Sequence, residues 1–263
     1  LIGYKFMGKT HSYAIGNAKF FFKDIKEPVK KVICGRTEHL VKQAAKDFGW
    51  EEYCTDWKEV VNRDDIDVVD IVTPTINHME ISVEAAKSGK HVFCEKPLAM
   101  NAKEAKIMLD TAEKHKIKHM VGYNYRKVPA IGLAKKLISD GKLGEIYHFR
   151  GCYLQDWIMD PEFPAIWKLN KKIAGSGPHG DLNAHIIDLA RYLVGEIDKV
   201  VGMQETFIKE RPKPKEEKKL TTMLTAGGEK KKNYIKVTVD DATAFLSKFK
   251  SGALGTFEAT RFA

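Results

Sequence analysis

Two stretches of the 263-residue chain gather residue types able to move a proton. The first is Val92-Phe93-Cys94-Glu95-Lys96-Pro97, where a short apolar run delivers a carboxylate, an ammonium and a proline. In open α/β sheets ligands lie beyond the carboxyl ends of the strands, so Glu95 and Lys96 are aimed at such a position. Pro97 fixes its own φ and turns Lys96 away from helical geometry. The plainer alternative is a strand end carrying two solvated charges. The second stretch runs from Ala174 to Gly195, a glycine-rich lead-in followed by a helical pattern with Leu182, Ile186, Leu189 and Leu193 as one apolar stripe. Asp181 and His185 are four residues apart and share a face of that helix, with Asp188 one turn further on. A carboxylate beside an imidazole orients it and raises its basicity. The competing reading makes Asp181 an N-terminal helix carboxylate and His185 a satisfied, half-buried histidine.

The elements that must hold these residues alternate in type. Residues 1–11 read as a strand end, a tight turn and a helix start, with Gly3 and Gly8 in the first and third places of a G-x-G-x-x-G fingerprint and Lys5 in the second. A strand over Val29–Gly35 is followed by a helix with Leu40, Ala44, Ala45 and Phe48 at helical spacing and Gly49 as its stop. Gly35-Arg36 stands where a ribose-binding carboxylate is usual, which leaves room for a 2′-phosphate; an arginine there can also stack on adenine. A buried strand over Asp67–Thr73 ends in Thr73-Pro74, with His78 shortly after; His78 reads equally as a cofactor contact or as a polar residue at a helix start. A helix over Ala102–His115 turns Ala105, Met108, Leu109 and Ala112 inward, and His119–Arg126 is the last strand and its exit. This alternation predicts a doubly wound parallel sheet over residues 1–122.

The pattern then changes. A helix over Ala130–Asp140, a long alternating strand from Ile146 to Trp157, and strands near Val200–Ile208, Tyr234–Val239, Ala242–Phe249 and Gly255–Thr260 predict an α+β domain over residues 123–263. Its sheet is expected to be large, open and mainly antiparallel. Lys209–Lys232, loaded with Lys, Glu and Pro, reads as a mobile surface excursion.

Composition narrows the function. The net charge of +9 comes from interspersed Lys and Glu, without the gathered basic and aromatic surface of a nucleic-acid binder. Four isolated cysteines and the lack of any C-x-x-C pair argue against a zinc site or disulfide framework and for a reducing compartment. With no signal-like segment or apolar run of spanning length, a cytoplasmic location and no membrane partner are expected.

Together, the glycine fingerprint, Thr73-Pro74 with His78, Glu95-Lys96-Pro97, Asn124-Tyr125-Arg126 and Asp181-x-x-x-His185 occur in one order and spacing. The chain closely resembles the glucose–fructose oxidoreductase/inositol dehydrogenase (Gfo/Idh/MocA) family of NAD(P)-dependent oxidoreductases. Lys5 departs from the family fingerprint, and the resemblance implies missing sequence at both ends. It further implies a dehydrogenase that passes hydride from a sugar or cyclic polyol CH–OH to nicotinamide without a metal. Lys96, Asp181 and His185 would be catalytic. Gly3, Phe6, Met7, Gly8, Arg36, Thr73, Pro74, His78, Glu95, Lys96 and Asn124 would hold NAD(H) or NADP(H), with a lean to NADP(H) from Gly35-Arg36. Tyr125, Arg126, Tyr153, Gln155, Asp156 and Trp157 would line the substrate site, and the second domain would build a homodimer or homotetramer. A non-catalytic dinucleotide or sugar binder, or a redox-neutral enzyme, is the alternative on the same fold.

Overall fold

A computed structural model describes residues 1–214 and 233–263. The chain divides into two compact units, Leu1–Gly122 and Tyr123–Ala263.

The first unit is the expected parallel sheet. Strands β1 (Val32–Cys34) and β2 (Glu52–Cys54) pair in parallel, as do β3 (Val68–Ile71), β4 (His91–Cys94) and β5 (His119–Val121) in that order. Ile2 bridges both groups, to Cys34 on one side and Ile71 on the other. The chain start is thus the central strand position, where the winding reverses. Alternate residues feed opposite faces: Val32 and Cys34 join the core beneath α4 (His78–Lys87) and α5 (Ala102–Lys114), while Ile33 joins Leu1 and the buried side of α2 (Glu38–Phe48). In α2 it is Val41, not Leu40, that is fully buried; Leu40 is exposed. In α5, Met108 and Ala112 are buried as expected and Leu109 is exposed, because the apolar stripe is narrower than its sequence spacing allows. The parallel register also sets Cys34 opposite Cys54, a juxtaposition that no local spacing announces; both are free thiols.

Helix α1 (Phe6–Phe21) begins directly behind Ile2. Gly3 has φ 115°, and a Cβ at Gly8 would lie 2.4 Å from the Gly3 carbonyl oxygen, so both places need glycine. Lys5, the apparent departure, is the N-cap residue at φ −74°, a backbone any residue adopts, with its side chain exposed. Ser12 then donates to the Gly8 carbonyl and receives the Trp50 indole N–H at 2.8 Å, which ties α1 to the end of α2.

The second unit carries a mixed four-stranded sheet ordered β6 (His148–Leu154), β11 (Leu254–Thr260), β10 (Ala242–Phe249), β7 (Ile197–Glu205). Two of its pairings are antiparallel and β6–β11 is parallel. One face packs Phe149, Phe245, Phe249 and Phe257 under α8 (Ala184–Leu193); Phe245 and Phe257 stack at 4.3 Å. The other face is exposed among the described residues, with Val201 at 69% and Met203 at 79%. The helix after the domain boundary is α6 (Pro129–Ser139), close to its expected place, and the short α3 (Trp57–Val61) and α7 (Lys171–Ala174) complete the helices of the two units among the described residues.

Within the excursion expected from residue 209, the structure departs from expectation. β8 (Glu210–Pro212) pairs with β9 (Tyr234–Lys236), and Arg211 is fully buried, its guanidinium donating to the carbonyls of Ile158 and Asp160. Buried carbonyls acting as acceptors make an apparently surface-bound arginine an interior one. The remainder of that stretch, residues 215–232, lies outside the described residues.

Candidate active site

In the first unit, the chemistry converges on three neighbouring ends: the start of α1 and the exits of β3 and β4. The N-cap residue of α1 makes no side-chain bond to the first turn, and that turn holds no acidic residue. The amides of Phe6, Met7 and Gly8 are therefore presented at the positive end of a 16-residue helix, a fit for a pyrophosphate. Thr73 Oγ1 is buried at the exit of β3 with no hydrogen-bond partner among the described residues. Arg36 is exposed beyond β1, and the Tyr4 ring covers Gly35 so closely that a Cβ there would meet it at 2.1 Å.

His78 is turned inward. Its ring is 1% exposed, with Nε2 2.8 Å from the Thr73 carbonyl oxygen and Nδ1 3.0 Å from that of Pro97. It lies between the two strand-exit loops, with a backbone carbonyl of each within hydrogen-bonding distance of its ring. Burial lowers its pKa.

Glu95 is also buried, with one oxygen accepting the Lys96 amide at 3.0 Å and the other facing His11 Nε2 at 3.2 Å. His11 Nδ1 meets the Asp70 carboxylate at 2.9 Å. Sequence reading passed over His11 and Asp70, which lie 59 residues apart.

The second unit sets two of the candidates, Tyr125 and Tyr153, against His185, which is buried. The Tyr125 ring stacks on its imidazole at 4.4 Å; Tyr123 meets it edge-on at 6.3 Å and Tyr153 lies at 6.0 Å. The hydroxyls of Tyr125 and Tyr153 share a 2.6 Å hydrogen bond. Burial, and then that bond, push the Tyr153 phenol up to about 12. Alternation along β6 puts Tyr153 on the α8 side of the sheet. Trp157 donates its indole N–H to Gln155 Oε1 at 2.9 Å.

Asp181 departs from the expected helix. Residues His179–Asn183 form a π turn before α8 begins, so the four-residue alignment of an α-helix does not carry from Asp181 to His185. The buried residues are Leu182, Asn183, His185, Asp188 and Ala190, and Ile186, Leu189 and Leu193 are only half-buried. Nor is Asp181 the helix cap. Asp240 takes that role, accepting the amides of Gly177 at 2.7 Å and His179 at 2.9 Å. A Cβ on Gly177 would lie 1.9 Å from the Asp240 carbonyl oxygen, so only glycine permits this approach. Asp181 instead receives Lys168 Nζ at 3.0 Å and Arg261 Nη2 at 3.0 Å. Neither cation carries a motif that singles it out in the sequence.

Three expected residues lie apart from this cluster. Arg126 grips buried Asp188 through Nε at 2.7 Å and Nη2 at 2.5 Å, and its guanidinium sits 5.1 Å over the Tyr192 ring. Asp156 is exposed and its carbonyl closes a turn with Met159; Asn124 is exposed at the start of a 3₁₀ turn. Among the described residues no cluster of His, Cys, Asp or Glu is arranged to hold a metal ion, and no helix is long and apolar enough to cross a membrane.

Comparison with known proteins agrees with this architecture. Residues 1–123 match the oxidoreductase family with an NAD-binding Rossmann fold, and residues 131–263 match the GFO/IDH/MocA C-terminal domain. Levoglucosan dehydrogenase of Pseudarthrobacter phenanthrenivorans is 46% identical over 99% of this chain. The chain spans 66% of that relative's length. The scyllo-inositol 2-dehydrogenase (NAD(+)) of Bacillus subtilis is 34% identical over 66% of the chain and 50% of its own length. A solved structure of levoglucosan dehydrogenase with NADH and levoglucosan superposes with a TM-score of 0.90 at 45% identity, covering 100% of this chain and 66% of that one. With both halves matched in order, the chain belongs to the GFO/IDH/MocA family of oxidoreductases, and its first half is an NAD-binding Rossmann fold.

Proposed function

We propose that this protein is an NAD-dependent dehydrogenase that oxidises a CH–OH group of a sugar or cyclic polyol, with an anhydrosugar of the levoglucosan type as the first substrate to test. The observation that carries the reading is the buried His185 imidazole ringed by tyrosines, in a chain 46% identical to levoglucosan dehydrogenase. Flat aromatic faces beside hydroxyl donors suit a pyranose ring, whose faces are apolar and whose edge is polar.

The amides of Phe6, Met7 and Gly8 hold the pyrophosphate, and Gly3 lets it approach. Thr73, Pro74, Glu95 and Asn124 complete the cofactor's surroundings. When bound, the nicotinamide accepts the hydride. The residues of the chain manage the proton that must leave with it. Lys96 and His185 take or relay the proton of the substrate hydroxyl, and Asp181, held by Lys168 and Arg261, accepts from a hydroxyl of the sugar. Tyr125, Tyr153, Gln155 and Trp157 bind the ring.

In this reading the cofactor is NAD(H). The lean toward NADP(H) rests on Gly35-Arg36 alone, and the NADH complex of the relative speaks for NAD(H). Copies of the chain associate through the exposed sheet face bearing Val201, Met203 and Leu246, and the free thiols fit the cytoplasm.

The test is turnover of NAD⁺ by the whole protein with levoglucosan, scyllo-inositol, myo-inositol and glucose, followed by nicotinamide absorbance. Reduction of NAD⁺ with one of these is expected. Consumption of a sugar without net absorbance change would transfer the protein to the redox-neutral class. Calorimetry showing no binding of NAD(H) or NADP(H) would overturn the reading altogether.

A further inference from the structure

His11 lies in α1, and no feature of the fingerprint requires a histidine there. Its two ring nitrogens meet two different carboxylates: Nδ1 meets Asp70 at 2.9 and 3.1 Å, and Nε2 meets Glu95 at 3.2 Å. A neutral imidazole donates only one N–H, so serving both carboxylates needs the imidazolium. Asp70 and Glu95 are 8% and 9% exposed, and two carboxylates so buried need a cation between them. The Phe93 ring lies 5.6 Å from the imidazole. Asp70 on β3 and Glu95 at the exit of β4 are the charged groups facing His11 from the elements packed against it.

Glu95 has little freedom once held. A Cβ on Gly122 would lie 2.8 Å from its Oε1, so the exit of β5 leaves room for that carboxylate only beside glycine. Its other oxygen accepts the Lys96 amide. A chain of contacts therefore runs from the cofactor-binding helix through His11 and Glu95 to the backbone of Lys96.

We propose that His11, as an imidazolium, is a positioning residue that ties Glu95 to Asp70 and so fixes the backbone of Lys96 for proton handling. The proposal rests on the dehydrogenase reading for its function, and on geometry within one unit for its mechanism. Burial opposes the proton, but the bonds to Asp70 and Glu95 outweigh it and push the pKa up to about 9. Above that value the cluster gains one net negative charge, and the single N–H left on the ring cannot serve both Asp70 and Glu95.

The test combines carbon-13 NMR of the labelled imidazoles and of the Lys96 backbone with kinetics. One imidazole, absent from His11→Gln, should titrate near pH 9, and Asp70→Asn should lower its midpoint by about a unit or more. The Lys96 backbone resonances should move with the same midpoint in the wild type and stay flat in His11→Gln. With NAD⁺ and levoglucosan as probes, His11→Gln should lower kcat about tenfold, with KM for levoglucosan within about threefold, and should lose the alkaline limb near pH 9. An imidazole midpoint near or below the ordinary value, or Lys96 resonances flat through pH 10 in the wild type, would overturn the proposal. An unchanged kcat in His11→Gln would also overturn it. If His11→Gln fails to fold, Asp70→Asn in the NMR titration decides alone. Failure of the wild type to bind NADH sinks the dehydrogenase reading, whereas the two NMR titrations judge His11 independently.

Discussion

Arg261 is fully buried, and its Nη2 donates to Asp181 Oδ2 at 3.0 Å while its guanidinium lies 5.6 Å over the Trp157 ring. Its Nε and Nη1 meet no protein acceptor among the described residues. Asp181 is thus the acceptor on which a buried cation depends, and Lys168 shares it.

That dependence is asymmetric, which makes it testable. Asp181→Asn strands a buried guanidinium and should cost about 3–5 kcal/mol, the loss seen when one partner of a buried pair is removed. Arg261→Met leaves Asp181 with Lys168 and removes a cation that is only partly satisfied, so it should cost less, about 1–3 kcal/mol. Urea unfolding at neutral pH measures both. The reverse order would mean that Arg261 is held chiefly by its packing over Trp157 rather than by Asp181.

The catalytic assignment predicts non-additivity. Lys96→Met or His185→Ala should lower kcat about 10²–10⁴-fold while NADH affinity stays within about threefold. The double variant should be little worse than the more damaged single one. Multiplicative losses would show that the two residues do not share one proton.

Arg36 tests the cofactor preference. An exposed arginine pairing with a 2′-phosphate contributes about 0.5–1 kcal/mol, so Arg36→Ala should weaken NADP(H) about two- to fivefold more than NAD(H). Equal loss for both, by calorimetry, would assign Arg36 to the adenine face.

His11 also makes stability depend on pH. Its pKa is raised from 6.5 to about 9, so its contribution is fully present below pH 6.5 and is lost as pH rises through 9. Two and a half pKa units set an upper limit of about 3 kcal/mol. Unfolding in urea from pH 6 to 10 should show a loss of stability across this window that His11→Gln lacks. Parallel pH curves for the two proteins would exclude the ionic clamp.

His78 separates support from binding. With its single N–H on one of two facing backbone carbonyls, His78→Ala should cost about 2–4 kcal/mol in urea unfolding through lost packing and an orphaned acceptor. In the fraction that stays folded, NADH affinity should remain within about threefold. A tenfold loss of affinity at unchanged stability would assign His78 to the cofactor.

What the sequence determined by itself is local and periodic. Strand–helix alternation specified the doubly wound sheet, because apolar spacing of 2 or 3.6 residues is written along the chain. Gly3, Gly8 and Gly49 marked their turns, since positive φ or close approach demands glycine wherever it occurs. The tyrosines of residues 125 and 153 could be picked out because they stand beside strand ends. Tertiary structure decided the partners of every buried charge. His11 finds Asp70 and Glu95 at 59 and 84 residues' distance, Arg261 finds Asp181 at 80, and Asp240 caps a helix that begins more than sixty residues earlier. It also placed a π turn where the spacing of Asp181 and His185 reads as plain α-helix. The physical reason is that a desolvated charge is stabilised by whichever opposite group the fold brings within hydrogen-bonding distance. Nothing in the residues flanking His11 or Arg261 records which group that is.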